Sequence, residues 1–128
     1  MRLLLDTHAL LWWFMSDPQL PARVAAAILD EGNEVLVSAA SAWEIATKHR
    51  LGKLPEAREA YPRFEELVAA DGFGYLSVSH RHGLRAGAYA VAHADPFDRM
   101  LAGQAEIEDL LLVTRDPAFK LFPVKTLW

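Results

Sequence analysis

The sequence contains no cysteine, so the fold can rest neither on disulfides nor on thiol chemistry, and nothing in it calls for an oxidising compartment. It also lacks a long apolar run. The longest, Ala9 to Met15, is far too short to cross a bilayer, and the opening Met1-Arg2-Leu3-Leu4-Leu5-Asp6 meets a charge too soon to read as a signal sequence. No membrane association and a cytoplasmic setting are the resulting expectations. A basic excess is missing as well: the formal charge is -4, which argues against binding nucleic acid through a broad cationic surface but not against cleaving it in a metal pocket. There is no internal repeat, low-complexity tract or Pro/Gly-rich linker. With 128 residues, 52% apolar and 23% charged, one domain spanning 1–128 with a single core is expected.

What is present is an alternation of short apolar runs with helical patterns. Leu3 to Leu5 read as a strand ending in Asp6, followed by a helix through Met15 that Asp17-Pro18 closes. Pro21 suits a first helical position, and Val24, Ala27 and Ile28 carry a second helix to about Glu31. Val35 to Val37 form another strand. Ser41-Ala42-Trp43-Glu44 then has the form of a capping box, which would place Glu44 in the first turn of a helix that Gly52 ends.

A helix over about Glu56 to Ala70, a strand over Tyr75 to Val78 and a helix from roughly His82 to Val91 follow. Asp95-Pro96-Phe97-Asp98 puts an acid at an N-cap, proline at the first helical position and a second acid at the third, opening a helix to about Ile107. Leu110 to Val113 read as a strand leading to Thr114-Arg115-Asp116-Pro117, and Pro123 to Leu127 as a last edge strand. Strands alternating with helices imply right-handed crossovers, hence an α/β, three-layer α/β/α sandwich around a central, mostly parallel sheet.

In such a sheet the helix N-termini lie beside the strands' carboxyl ends, where open α/β folds bind ligands. Asp6, Glu44, Asp98 and Asp116 all fall on that edge. Singly, each could be a helix cap; together, four acids without matching bases repel one another strongly unless cations neutralise them. An all-oxygen donor set suits Mg²⁺ or Mn²⁺ better than zinc, and the chemistry such ions support at phosphorus is phosphodiester hydrolysis.

Other residues stay open between roles. Asp95 fits a cap best. Thr7, Ser38 and Thr114 are placed to orient a carboxylate or to cap, and Arg99 and Arg115 to pair with an acid or to reach a phosphate. His8 and His93 flank the crevice, whereas His80 and His82 lack the companions of a metal motif. Trp12, Trp13 and Phe14 are consecutive, so one helix cannot turn all three to the same sheet face.

Leu4-Leu5-Asp6-Thr7-His8, Ser41-Ala42-Trp43-Glu44-Ile45, Asp95-Pro96-Phe97-Asp98-Arg99 with Ala102 and Ala105, and Thr114-Arg115-Asp116 together resemble, in order and spacing, a PIN-domain ribonuclease of the VapC toxin type. The resemblance implies an α/β/α sandwich, an Mg²⁺- or Mn²⁺-dependent endoribonuclease acting on RNA, a cognate antitoxin that occupies or blocks the active site, and a homodimer. Carried over by position, the catalytic, metal-binding acids are Asp6, Glu44, Asp98 and Asp116. Two rivals fit parts of the pattern. A phosphatase of the haloacid dehalogenase type would use Asp6 as nucleophile, although His8 stands where its second Asp is expected. A non-catalytic RNA- or protein-binding module would keep the acids only as caps.

Overall fold

Five strands and seven helices make up the structure, a computed structural model that describes residues 1–128. β1 (Arg2–Leu5) leads into α1 (Thr7–Phe14), then α2 (Ala22–Leu29), β2 (Glu34–Ser38) and α3 (Ala39–Arg50). α4 (Ala57–Ala60) and α5 (Phe64–Ala70) precede β3 (Gly74–Leu76), followed by α6 (His80–Ala88), α7 (Pro96–Ile107), β4 (Leu111–Val113) and β5 (Thr126–Leu127). The sheet order is β3-β2-β1-β4-β5, and every pairing is parallel. No helix is long and apolar enough to cross a membrane.

Parallel strands buried on both faces must be apolar throughout, and Leu3, Leu4 and Leu5 are fully buried. The two-residue period of a strand then sorts them. Leu3 and Leu5 join Leu10, Val24, Val37, Ile45 and Val68 in one layer, while Leu4 joins Leu101, Ala105, Leu112 and Phe119 in the other. The result is the expected three-layer sandwich, with β1 at its centre. Because the chain moves from β1 outward to β2 on one side and later returns to β4 on the other, the carboxyl ends of β1 and β4 frame the crevice where the winding direction changes.

Several element boundaries differ from those expected. α3 starts at Ala39, not after Ser41, because Ser38, the last residue of β2, is itself a capping residue and its hydroxyl accepts from the Ala40 N–H. Glu44 therefore lies in the second helical turn, and the Ser41 hydroxyl accepts instead from that of Thr7 at 3.1 Å. The single helix expected over 56–70 is broken by a 3₁₀ turn at Tyr61–Arg63, where Pro62 can neither donate a hydrogen bond nor fit an α-helix interior. α2 is shorter than 21–31, with Pro21 as its cap, and β3 stops at Leu76.

α6 spans 80–88 rather than 82–91. Ser79 caps it in a reciprocal box whose third member is His82, the imidazole Nδ1 accepting from the Ser79 N–H at 3.0 Å. His82 is thus a buried structural residue, its other nitrogen 3.0 Å from Glu108.

α6 and α7 approach closely at Gly103, where an added Cβ would stand 3.1 Å from the His82 carbonyl oxygen and 3.3 Å from the Ala86 nitrogen. Those are backbone atoms that cannot yield cheaply. Gly103→Ala is therefore expected to lower stability by about 1–2 kcal/mol despite alanine's better helix propensity, measured as a drop in melting temperature. An unchanged or higher melting temperature would show that the two helices separate freely.

Candidate active site

Three of the four acids reach the crevice because the local sequence makes a helix or 3₁₀ turn begin there, and Glu44 reaches it from the second turn of α3. Asp6 directly follows β1 and caps α1, accepting from the Ala9 N–H at 2.7 Å, while its own N–H donates to Val113 of β4. Asp95 caps α7 through the N–H groups of Phe97 and Asp98, which leaves Asp98 one turn further in with its side chain free of capping. Asp116 accepts from the Ala118 N–H at 2.9 Å and caps the 3₁₀ turn Pro117–Leu121, and its N–H donates to Thr114. Glu44 projects from α3 and is ion-paired with Lys48 one turn on.

All four acids line one cavity of about 590 Å³, together with Glu56, Asp95, Lys48, Arg115, His8, Thr7, Gln19, Trp12 and Pro117. Capping and convergence are thus not alternatives here. Asp6, Asp95 and Asp116 do both, since the helix starts that need caps all open on the same edge.

The electrostatics are lopsided. Six carboxylates face two fixed cations, Lys48 and Arg115, a surplus of four acids that equals the formal charge of the whole chain. The remainder of the molecule is therefore neutral overall. Burial pushes the Asp6 pKa up to about 6, and the charge of Asp98 adds to that, against opposing contributions from Thr114, the Ala9 N–H and His8. Asp98 is raised too, first by burial and then by the charges of Asp95 and Glu44, while His93 pulls the other way. Buried acids with further carboxylates beside them, offering an all-oxygen donor set, fit a hard divalent cation. No three of them stand close enough to form a ready-made cage. That suits magnesium, which takes one or two carboxylates and completes its shell with water and phosphate oxygens.

Some neighbours were not foreseen. The His93 imidazole Nε2 lies 2.8 Å from Asp98 Oδ2. Lys48 could have been found from its (i, i+4) spacing to Glu44, the spacing at which helix side chains meet. Arg99 pairs with no acid; its guanidinium is spent on backbone carbonyls between Ala86 and His93. Arg115 lies on the cavity rim with its guanidinium 4.5 Å from the Trp12 ring centre and a bond to Gln19. Of the consecutive aromatics, Trp12 is buried and packs against Trp128, while Trp13 and Phe14 are half-buried against Phe73 and Phe64.

The family model for the PIN domain matches residues 3–125. Ribonuclease VapC16 of Mycobacterium tuberculosis is 44% identical over 57 residues, a stretch that covers 44% of this chain and 40% of that protein. Among solved structures, the fold is similar to VapBC2 from Rickettsia felis bound to a DNA fragment from their promoter, with a TM-score of 0.73 and 15% identity over 99% of this chain and 98% of that one. It is similar also to VapBC-1 from nontypeable Haemophilus influenzae, with a TM-score of 0.71 and 18% identity over 99% and 97% of the two chains. FitAcB from Neisseria gonorrhoeae aligns with a TM-score of 0.68 and 21% identity over 98% and 96%.

Proposed function

The chain belongs to the PIN-domain family, and from that premise we propose that residues 1–128 act as one domain, a metal-dependent endoribonuclease and the toxin of a toxin–antitoxin pair. The observation that carries the reading is the convergence of Asp6, Glu44, Asp98 and Asp116 on one cavity at the carboxyl edge of the sheet. The similarity to Ribonuclease VapC16 supports RNA as the substrate. A cognate antitoxin, a homodimer and a cytoplasmic setting complete the proposal.

In this reading the four acids hold Mg²⁺ or Mn²⁺, and the cation, when bound, supplies Lewis acidity and charge neutralisation toward a phosphodiester. The chain's own groups do the rest. Thr114 bonds to Asp6 and to the Asp116 N–H, fixing two of the acids relative to each other. Lys48 keeps Glu44 oriented and reduces the acidic surplus, and Arg115 offers a planar cation at the rim to an RNA phosphate. The phosphatase alternative lacks its second acid, since His8 stands at that position.

The test is direct. The purified chain, free of any antitoxin, is expected to cut single-stranded RNA internally with Mg²⁺ or Mn²⁺ and to stop when a chelator is added. Cleavage that persists in chelator, or a trapped aspartyl-phosphate at Asp6, would overturn the proposal.

A further inference from the structure

We propose that His93 and Arg99 form a positioning unit that holds the Asp98 carboxylate in its cation-binding orientation. The inference rests on the metal-nuclease reading above and assigns a role to two residues outside the four acids. Its basis is the segment between α6 and α7, which has no regular structure of its own, so its shape must be set by contacts from elsewhere.

Arg99 supplies those contacts. Its Nε donates to the Ala86 carbonyl at 2.9 Å, one terminal nitrogen to Val91 and His93 at 3.2 and 2.9 Å, and the other to Tyr89 and Gly87 at 2.7 and 3.3 Å. A guanidinium has five N–H groups, and here all five are used on one stretch of backbone. The residue directly after Asp98 thus grips the segment that carries His93, and the His93 ring returns to Asp98 with Nε2 2.8 Å from Oδ2. Phe122 stands edge-on to that ring at 6.1 Å.

The chemistry fixes the direction of the bond. An ionised carboxylate can only accept, so Nε2 carries the proton and donates. The bond occupies one oxygen, selects a single side-chain orientation and leaves the other oxygen for a cation. Without it, Asp98 would sample several rotamers, and the cation would have to order the side chain on binding. Since Nε2 is committed to Asp98 and an Mg²⁺-type ion prefers oxygen donors, His93 acts through Asp98 rather than as a ligand itself.

The experiment measures Mn²⁺ binding to the full chain by calorimetry, alongside RNA cleavage as a function of Mn²⁺ concentration. His93→Ala is expected to weaken Mn²⁺ affinity about 10–100-fold, with a smaller loss of rate at saturating metal. His93→Gln, whose amide can still donate, is expected to regain most of the affinity. Arg99→Lys should weaken affinity similarly while accelerating amide exchange over residues 89–93. The His93 side chain is about three-quarters buried, so its removal is expected to lower the metal-free melting temperature modestly, and affinities are compared at a temperature where both proteins remain folded. Wild-type affinity in His93→Ala, or equal losses in the alanine and glutamine variants, would overturn the assignment. A wild type that binds Mn²⁺ without cutting RNA would refute the nuclease reading alone, and one that binds no Mn²⁺ would refute both.

Discussion

Asp98→Asn and Asp116→Asn are each expected to cut RNA-cleavage rates by about 10³-fold or more, some 4 kcal/mol of transition-state stabilisation, while leaving the fold intact. Asparagine is nearly isosteric with aspartate, so it preserves packing. At position 116 its carbonyl oxygen can still accept from the Ala118 N–H, which keeps the cap of the 3₁₀ turn. At position 98 the cap is supplied by Asp95 and is untouched. What each change removes is one negative charge from a cavity where the acids outnumber the cations, and with it, on the proposed reading, a donor to the cation. Initial rates on single-stranded RNA, paired with thermal melting of the same preparations, separate the two roles. Rates within a few-fold of wild type would mean that Asp116 only caps its 3₁₀ turn and that Asp98 takes no part in cleavage.

That separation matters because sequence alone could not make it. The pattern of apolar runs and caps was sufficient to place the strands, since a three-leucine run or Leu111-Leu112-Val113 is buried on both faces in only a few architectures. The crossover rule puts Asp6, Glu44, Asp98 and Asp116 on one edge without any coordinates, and all four line the cavity, although Glu44 comes one helical turn later than expected. Asp95-Pro96-Phe97-Asp98 was legible to the residue, because a cap followed by proline fixes both the start and the phase of a helix.

Elsewhere the local signals competed. Ser38 and Ser41 are both capping residues three apart, and the choice between them depends on where β2 stops pairing with β3, a tertiary fact. The break at Pro62 was signalled by proline but masked by the apolar spacing of Phe64, Leu67 and Val68 beyond it. The partners of His93 and Arg99 were out of reach for a deeper reason. Arg99 binds main-chain carbonyls, which carry no side-chain identity, so nothing in the residue types of 86–93 announces the contact. His93 meets Asp98 only because that contact folds the intervening segment back.

Asp6→Asn is expected to make the metal-free protein more stable at pH 7, by up to about 3 kcal/mol. Burial raises the Asp6 pKa in the folded chain from an ordinary 3.8 to about 6, so the native state binds this proton more tightly than the unfolded state does. Stability from this group is therefore complete below about pH 4, falls as pH rises toward 6 and stays low above it. Each pKa unit corresponds to about 1.4 kcal/mol, which gives the size of the loss. Asparagine cannot ionise but still caps α1 through Ala9, so the variant escapes the loss while keeping the cap. The gap between variant and wild type, followed by urea denaturation, should open between pH 4 and 7 and nearly vanish at the acid end. Added Mg²⁺ should close it from the other side, by stabilising the wild type and not the variant, because a cation held by ionised Asp6 compensates for its burial. A variant less stable than wild type at pH 7 without metal would show that Asp6 serves the fold first, whereas the expected order would show a side chain whose burial destabilises the fold until a cation is bound.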